Sequence, residues 1–167
     1  MKIFAVTGSG QNAGKTTAVV NLVSEFKKRG FRVGTIKQIH EMNFSMDKRG
    51  KDTWRHAEAG ADIVVAASPV EAVAIKRISG KDRYIEALAL LEGQELDILI
   101  IEGHPGVEMP MLYAARDSGV CESKPIDESV VAIVTLSPEN FGEMSLPVFH
   151  MKDDVSKIAD LVLTKFI

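Results

Sequence analysis

The run Gly8-Ser9-Gly10-Gln11-Asn12-Ala13-Gly14-Lys15-Thr16-Thr17 decides how this 167-residue chain is read. It lies between the apolar run Ile3-Phe4-Ala5-Val6 and a segment in which Val19, Leu22, Val23 and Phe26 recur at helical spacing. A strand, a glycine-rich turn and a helix start therefore follow in the order that a phosphate-binding loop requires. Glycines let the backbone curl until successive N–H groups face one concavity, and the helix dipole adds positive potential there. Gly8, Gly10, Asn12, Ala13, Gly14, Lys15, Thr16 and Thr17 are the candidate nucleotide-binding residues. Lys15 is placed to reach the outer phosphates, and the Thr16 hydroxyl to ligate Mg²⁺.

Five residues separate Gly8 from Gly14, one more than the usual pattern allows, and Ser9 stands where the first glycine would be expected. In that longer loop the chain resembles dethiobiotin synthetase. Outside the loop, strand-like and helix-like segments alternate. A first helix is predicted from Lys15 to Arg29, closed by Gly30, and a strand over Phe31–Ile36. Lys37 to Lys51 reads as a long polar loop, followed by a short helix from Asp52 to Ala59 that Asp52 can cap. Short apolar runs at Ile63–Ala67 and Val70–Ile75 flank Ser68-Pro69, and a further helix carries Tyr84, Ile85, Leu88 and Leu91.

The nearly unbroken apolar runs Leu96–Ile101 and Val130–Val134 are typical of strands covered on both faces of a parallel sheet. Met111–Ala115 and Pro147–Phe149 read as shorter strands, Asp117–Ser129 as a second loop. A last helix places Val155, Ile158, Ala159 and Val162 on one face. The alternation predicts one domain over residues 1–167, a three-layer α/β fold with a mostly parallel central sheet.

Composition narrows the function classes. A net charge of −3 argues against a general nucleic-acid binder, because phosphate-backbone affinity needs clustered Lys and Arg. The single Cys121 excludes an internal disulfide and a multi-cysteine metal site. No apolar run approaches membrane-spanning length and no signal peptide is recognised, so the expectation is a cytoplasmic protein without membrane contact.

Glu102, in Glu102-Gly103-His104-Pro105-Gly106, closes the predicted strand Ile98–Ile101. Ligands of open parallel sheets sit beyond the carboxyl ends of strands, so a carboxylate there can hold or orient hydrated Mg²⁺. The plainer alternative is an exposed acid opening a glycine turn. Lys37 follows the second strand and is a candidate contact for phosphate or an anionic substrate, or else a solvated surface lysine. His40, His56, His104 and His150 show no zinc spacing. For His56, a polar pair with Asp52 one turn earlier is the simple explanation. Trp54, the only tryptophan, reads first as a packing residue.

Gly50-Lys51-Asp52-Thr53-Trp54-Arg55-His56-Ala57-Glu58-Ala59-Gly60-Ala61 closely resembles the central motif of the molybdopterin-guanine dinucleotide biosynthesis protein B family. The Gly-Lys-Thr-Thr loop, the Ile36-Lys37 pair, Asp47 and Glu102-Gly103 match it in order and spacing. The resemblance implies a P-loop NTPase fold and a homodimer that binds GTP and Mg²⁺ with weak GTPase activity. It further implies an adapter for the guanylyltransferase that joins GMP to molybdopterin, possible contact with molybdopterin itself being part of that role. Lys15 and Glu102 would be the catalytic pair, with Thr16, Glu102 and Asp52 in the metal and switch region and Lys37 as an anion or pterin contact. The chain departs from the family where a histidine-rich patch often follows Ile-Lys; here the residues are Gln38-Ile39-His40-Glu41. His104-Pro105-Gly106 also replaces an aromatic and a basic residue after Glu-Gly. No Asn-Lys-x-Asp guanine motif is present, so GTP rests on the resemblance. An ATP-dependent ligase or small-molecule kinase of the dethiobiotin synthetase type is the alternative. A partitioning-type dimeric ATPase is disfavoured, because Ser9 stands where that class carries its loop lysine.

Overall fold

A computed structural model describes residues 1–41, 43–78, 83–116 and 127–165. The chain forms two compact units, Met1–Gln38 with Glu95–Ile167, and Ile39–Gln94.

The first unit is built on β1 (Lys2–Gly8), α1 (Lys15–Lys28) and β2 (Val33–Lys37). In the second unit α2 (Asp52–Glu58), β3 (Val64–Ala67), β4 (Ala72–Ile75) and α3 (Arg83–Ala89) follow. The chain then returns to the first unit through β5 (Ile98–Glu102), β6 (Met111–Ala114), β7 (Val130–Thr135), β8 (Val148–His150) and α4 (Val155–Lys165). One 3₁₀ turn, Pro138–Asn140, lies between β7 and β8.

Six strands form a sheet in the order β2-β5-β1-β6-β7-β8, every described pair parallel. All five residues of β5 are buried, which is why its sequence is apolar without alternation. Alternation reappears at β7. Ala132 and Val134 pack into the core beneath α1 and α4, while Ile133 faces the other way onto Phe141 and the neighbouring Met144 and Leu146. Within the main core Phe26 of α1 meets the rings of Phe4 and Phe31 edge-on, with centroids 6.4 and 6.1 Å away. Such edge contacts add about 0.5–1.5 kcal/mol beyond area burial. Arg29, just past α1, fastens α1 to α4 through Asp160 (2.6 Å) and the Ser156 carbonyl (3.0 Å). Ile158, Ala159 and Val162 form the buried stripe of α4, as the helical spacing predicts.

In the second unit β3 and β4 form an antiparallel hairpin around Ser68-Pro69, with Val65, Val70 and Val73 exposed. Residues 38–51 contain no helix or strand among the described residues. Two boundaries differ from expectation. β2 starts at Val33 and runs through Lys37, so Lys37 is the last residue of the strand rather than the first of the loop. Lys51, not Asp52, occupies the N-cap of α2; Asp52 lies in its first turn, where a carboxylate complements the helix dipole without capping. Of the predicted 117–129 loop, 117–126 lie outside the described residues.

Candidate functional site

β1 is flanked by β5 on one side and β6 on the other, so the chain leaves its carboxyl end at the crevice where open α/β sheets bind ligands. The loop that leaves there is fixed by close backbone approaches. Gly8 lies against the Ala114 carbonyl of β6, where a Cβ would collide, and the Ser9 N–H reaches that carbonyl at 3.3 Å. Gly10 (φ 135°), Asn12 (φ 61°) and Gly14 (φ 93°) then take left-handed conformations that curl the chain back to the start of α1. Gly14 is the N-cap of α1, and no acidic residue occupies the first turn, leaving the positive end of the helix facing the concavity. The Lys15 ammonium bends back onto the Gly10 carbonyl, spanning the mouth of the loop.

Glu102 ends β5 in register with Val6 of β1 and Lys37 of β2. It is 7% exposed, which rules out the reading of Glu102 as a surface acid. A carboxylate so far out of water must be met by donors. Two converge on its Oε1: the Thr16 hydroxyl at 2.5 Å and the Lys37 ammonium. Lys37 keeps over half of its side chain in solvent, so the pair is a buried acid answered by a cation at its rim. Lys37 is thereby paired with the acid at the end of β5 while most of its side chain stays in solvent.

Beside these groups opens a cavity of about 330 Å³, walled by Val19, Val20 and Val23 of α1 and Ile36 of β2, with Lys37 and Glu102 also in its lining. The structure thus gathers Gly8 to Thr17, Lys37 and Glu102 at one sheet edge. Asp52 belongs to the second unit, where its exposed carboxylate lies 3.8 Å from Arg55, which also replaces the expected pairing with His56. Trp54 carries the Arg77 guanidinium 4.3 Å above its ring, and Arg77 in turn pairs with Glu58 at 2.5 Å. Its ring therefore packs under a cation of its own unit. No cluster of three metal-ligating side chains occurs among the described residues.

Two residues at the site carry no signal in the sequence. Met151, after β8, presses its thioether against Gly14. Gln38 touches the turn that follows Glu102. Both act by approaching a glycine that is distant in sequence, and no local pattern marks such an approach.

The sheet order, the strand–loop–helix and the acid at the end of β5 define a protein of the α/β P-loop NTPase fold class. Comparison with known proteins makes this particular. The chain belongs to the family described as molybdopterin guanine dinucleotide synthesis protein B, which it matches over residues 3–136. It is 31% identical over 161 residues to the molybdopterin-guanine dinucleotide biosynthesis adapter protein of Haemophilus influenzae, covering 96% of this chain and 86% of that protein. Identity to a probable adapter protein of the same description from Bacillus subtilis is 28% over 159 residues, covering 93% of this chain and 88% of that protein. Among solved structures, Bacillus subtilis MobB superposes with a TM-score of 0.73 at 28% identity over all of this chain and 99% of that one. A MobB homologue from Bacillus stearothermophilus gives 0.73 at 23% identity over 98% and 99%, a likeness of fold.

Proposed function

We propose that this protein is a GTP-binding adapter in molybdopterin-guanine dinucleotide biosynthesis, assisting a guanylyltransferase that attaches GMP to molybdopterin. The adapter names of its relatives support the general role. The observation that carries the nucleotide part is the Thr16 hydroxyl held on a buried Glu102 at the mouth of a glycine loop.

The residues fit a nucleotide and its metal. Backbone amides from Ser9 to Lys15 would cradle the phosphates, and the Lys15 ammonium would exchange the Gly10 carbonyl for the outer phosphate oxygens. The hard oxygen donors Thr16 and Glu102 would hold Mg²⁺, Glu102 directly or through water. When bound, that ion offsets charge on the β- and γ-phosphate oxygens. Lys37 would be left beside the outer phosphate or an anionic partner molecule. The Gln38 side-chain Oε1 already accepts from the His104 N–H, so it is not disposed to orient an attacking water, which supports slow hydrolysis. The homodimer of this reading would cover the exposed apolar residues of the β3–β4 hairpin. No helix among the described residues is long and apolar enough to cross a membrane, in keeping with a cytoplasmic role.

Lys15→Ala tests the reading: titration with GTP should show affinity lost while the melting temperature is retained. Unchanged GTP affinity in that variant would overturn it. A pull-down of the guanylyltransferase with and without GTP tests the adapter role. One observation favours a second reading, an ATP-dependent ligase or small-molecule kinase: the cavity beside Lys37 and Glu102 could seat an acceptor. Rapid ATP turnover that depends on a small acid or amine would select that reading over the adapter.

A further inference from the structure

We propose that Lys37 competes with a divalent cation for the Glu102 carboxylate, so that metal is held there only together with nucleotide phosphate. The proposal rests on the nucleotide-binding reading above.

Two donors share one oxygen. The Thr16 hydroxyl at 2.5 Å and the Lys37 ammonium both reach Glu102 Oε1. Register puts the lysine there, because Lys37 and Glu102 are partners across the β2–β5 ladder. Lys15, the other lysine of the site, is turned onto the Gly10 carbonyl instead. The countercharge on the buried acid is therefore that of Lys37.

The two members of the pair are unequal. Glu102 is nearly sealed from water, while the Lys37 side chain is 59% exposed. The acid has no water to turn to and needs a cation beside it. The lysine can leave, since a flexible four-carbon stem carries its ammonium into solvent, where hydration is recovered. A divalent cation shared by Thr16 and Glu102 needs the oxygen that the ammonium holds, and it meets like charge for as long as the ammonium stays. Metal alone gives Lys37 no other partner. Nucleotide does, because its outer phosphate oxygens supply further ligands for the metal and a new anion for the released ammonium.

The test replaces Lys37 in three ways. Lys37→Met keeps the apolar stem, Lys37→Gln keeps a donor for Oε1 without the charge, and Lys37→Arg keeps the charge. Mn²⁺, a paramagnetic substitute for Mg²⁺, is titrated into each protein without nucleotide, and free Mn²⁺ is read by electron paramagnetic resonance. Melting temperatures are recorded with and without Mg²⁺. Loss of one like charge at contact distance should tighten Mn²⁺ binding at least about tenfold in Lys37→Met and Lys37→Gln. Lys37→Arg should bind as weakly as the unaltered protein. Mg²⁺ alone should raise the melting temperature of the two neutral variants and leave that of the unaltered protein unchanged. Adding Glu102→Gln to Lys37→Gln should abolish the gain, which assigns it to this carboxylate. Lys37→Gln also keeps the readout should Lys37→Met not fold. The proposal is overturned if the neutral variants bind Mn²⁺ no more tightly than the unaltered protein. It is overturned equally if they melt lower with no response to metal, as loss of a merely structural ion pair would give. GTP titrated into the unaltered protein with Mg²⁺ is the separate control. Failure to bind there removes the nucleotide reading, whereas the arms with metal alone fail only if Lys37 does not compete for Glu102.

Discussion

Replacing Gly14 by alanine should cost stability through two separable terms, and the structure says how to separate them. Gly14 holds φ 93°, a conformation that costs a residue with a Cβ about 1–2 kcal/mol. The new Cβ would also stand 2.6 Å from Met151 Cε and 2.9 Å from its Sδ. The end of a methionine usually yields to such pressure. Met151, however, is 1% exposed, and its backbone is pinned by its own N–H to the Thr135 carbonyl (2.7 Å) and by Asn21 on its carbonyl (2.9 Å). Crowding a fixed, buried side chain costs about 1–3 kcal/mol. Gly14→Ala is therefore expected to lose about 2–5 kcal/mol, within what a domain with about 5–15 kcal/mol can survive folded. Met151→Ala alone should lose about 2–5 kcal/mol through the cavity it leaves. In the double variant the crowding term disappears and only the φ term of Gly14→Ala remains. Urea unfolding of all four proteins should thus show the pair less destabilised than the sum by about 1–3 kcal/mol. Additivity within about 0.5 kcal/mol would refute the close packing of Met151 against Gly14.

Two further outcomes follow from the same structure. Glu102→Gln keeps a side chain of the same shape beside Thr16 but removes the charge, so the Mg²⁺-dependent part of GTP affinity should fall at least about tenfold while GTP affinity in EDTA holds; equal losses in both buffers would contradict the assigned metal role. At the opposite end of the sheet, hydrogen bonds from the Arg32 side chain and backbone hold the Asp97 carboxyl below the usual carboxylate range. A depressed folded value means the contribution is whole above the unfolded value of about 3.9 and is lost as pH falls through the lower folded one. Wild-type stability should drop more steeply than that of Asp97→Asn below about pH 4, and parallel curves offset by a constant would exclude the linkage.

Much of the fold is legible in the sequence because burial imposes simple patterns. β5 is apolar at successive positions since both of its faces are covered, and α4 shows a clean stripe since one of its faces is. β6 is legible only as a short apolar run. Its place between β1 and β7 depends on pairings such as Gly8 with Ala114, which join residues far apart in the chain. The N-cap of α2 misleads for a local reason. Asp52 has the chemistry of a cap, but Lys51 has the extended backbone that the position demands, and no side chain bonds there.

At the site, Lys15 and Thr16 are readable because a phosphate loop is a local device whose residues adjoin one another. Glu102 is not decided by its neighbours in sequence, since an acid at the end of a strand serves equally as a surface residue. Register decides it. Pairing of Glu102 with Val6 on one side and Lys37 on the other removes the carboxylate from water and, through β1 and α1, brings Thr16 to it. A buried carboxylate answered by a threonine hydroxyl and an exposed lysine is costly for stability alone, because an apolar side chain would fill the same space without desolvating a charge. Its retention at the mouth of the loop is explained if the charge serves a cation arriving with phosphate. That makes Glu102, more than the glycines, the residue on which the functional reading turns.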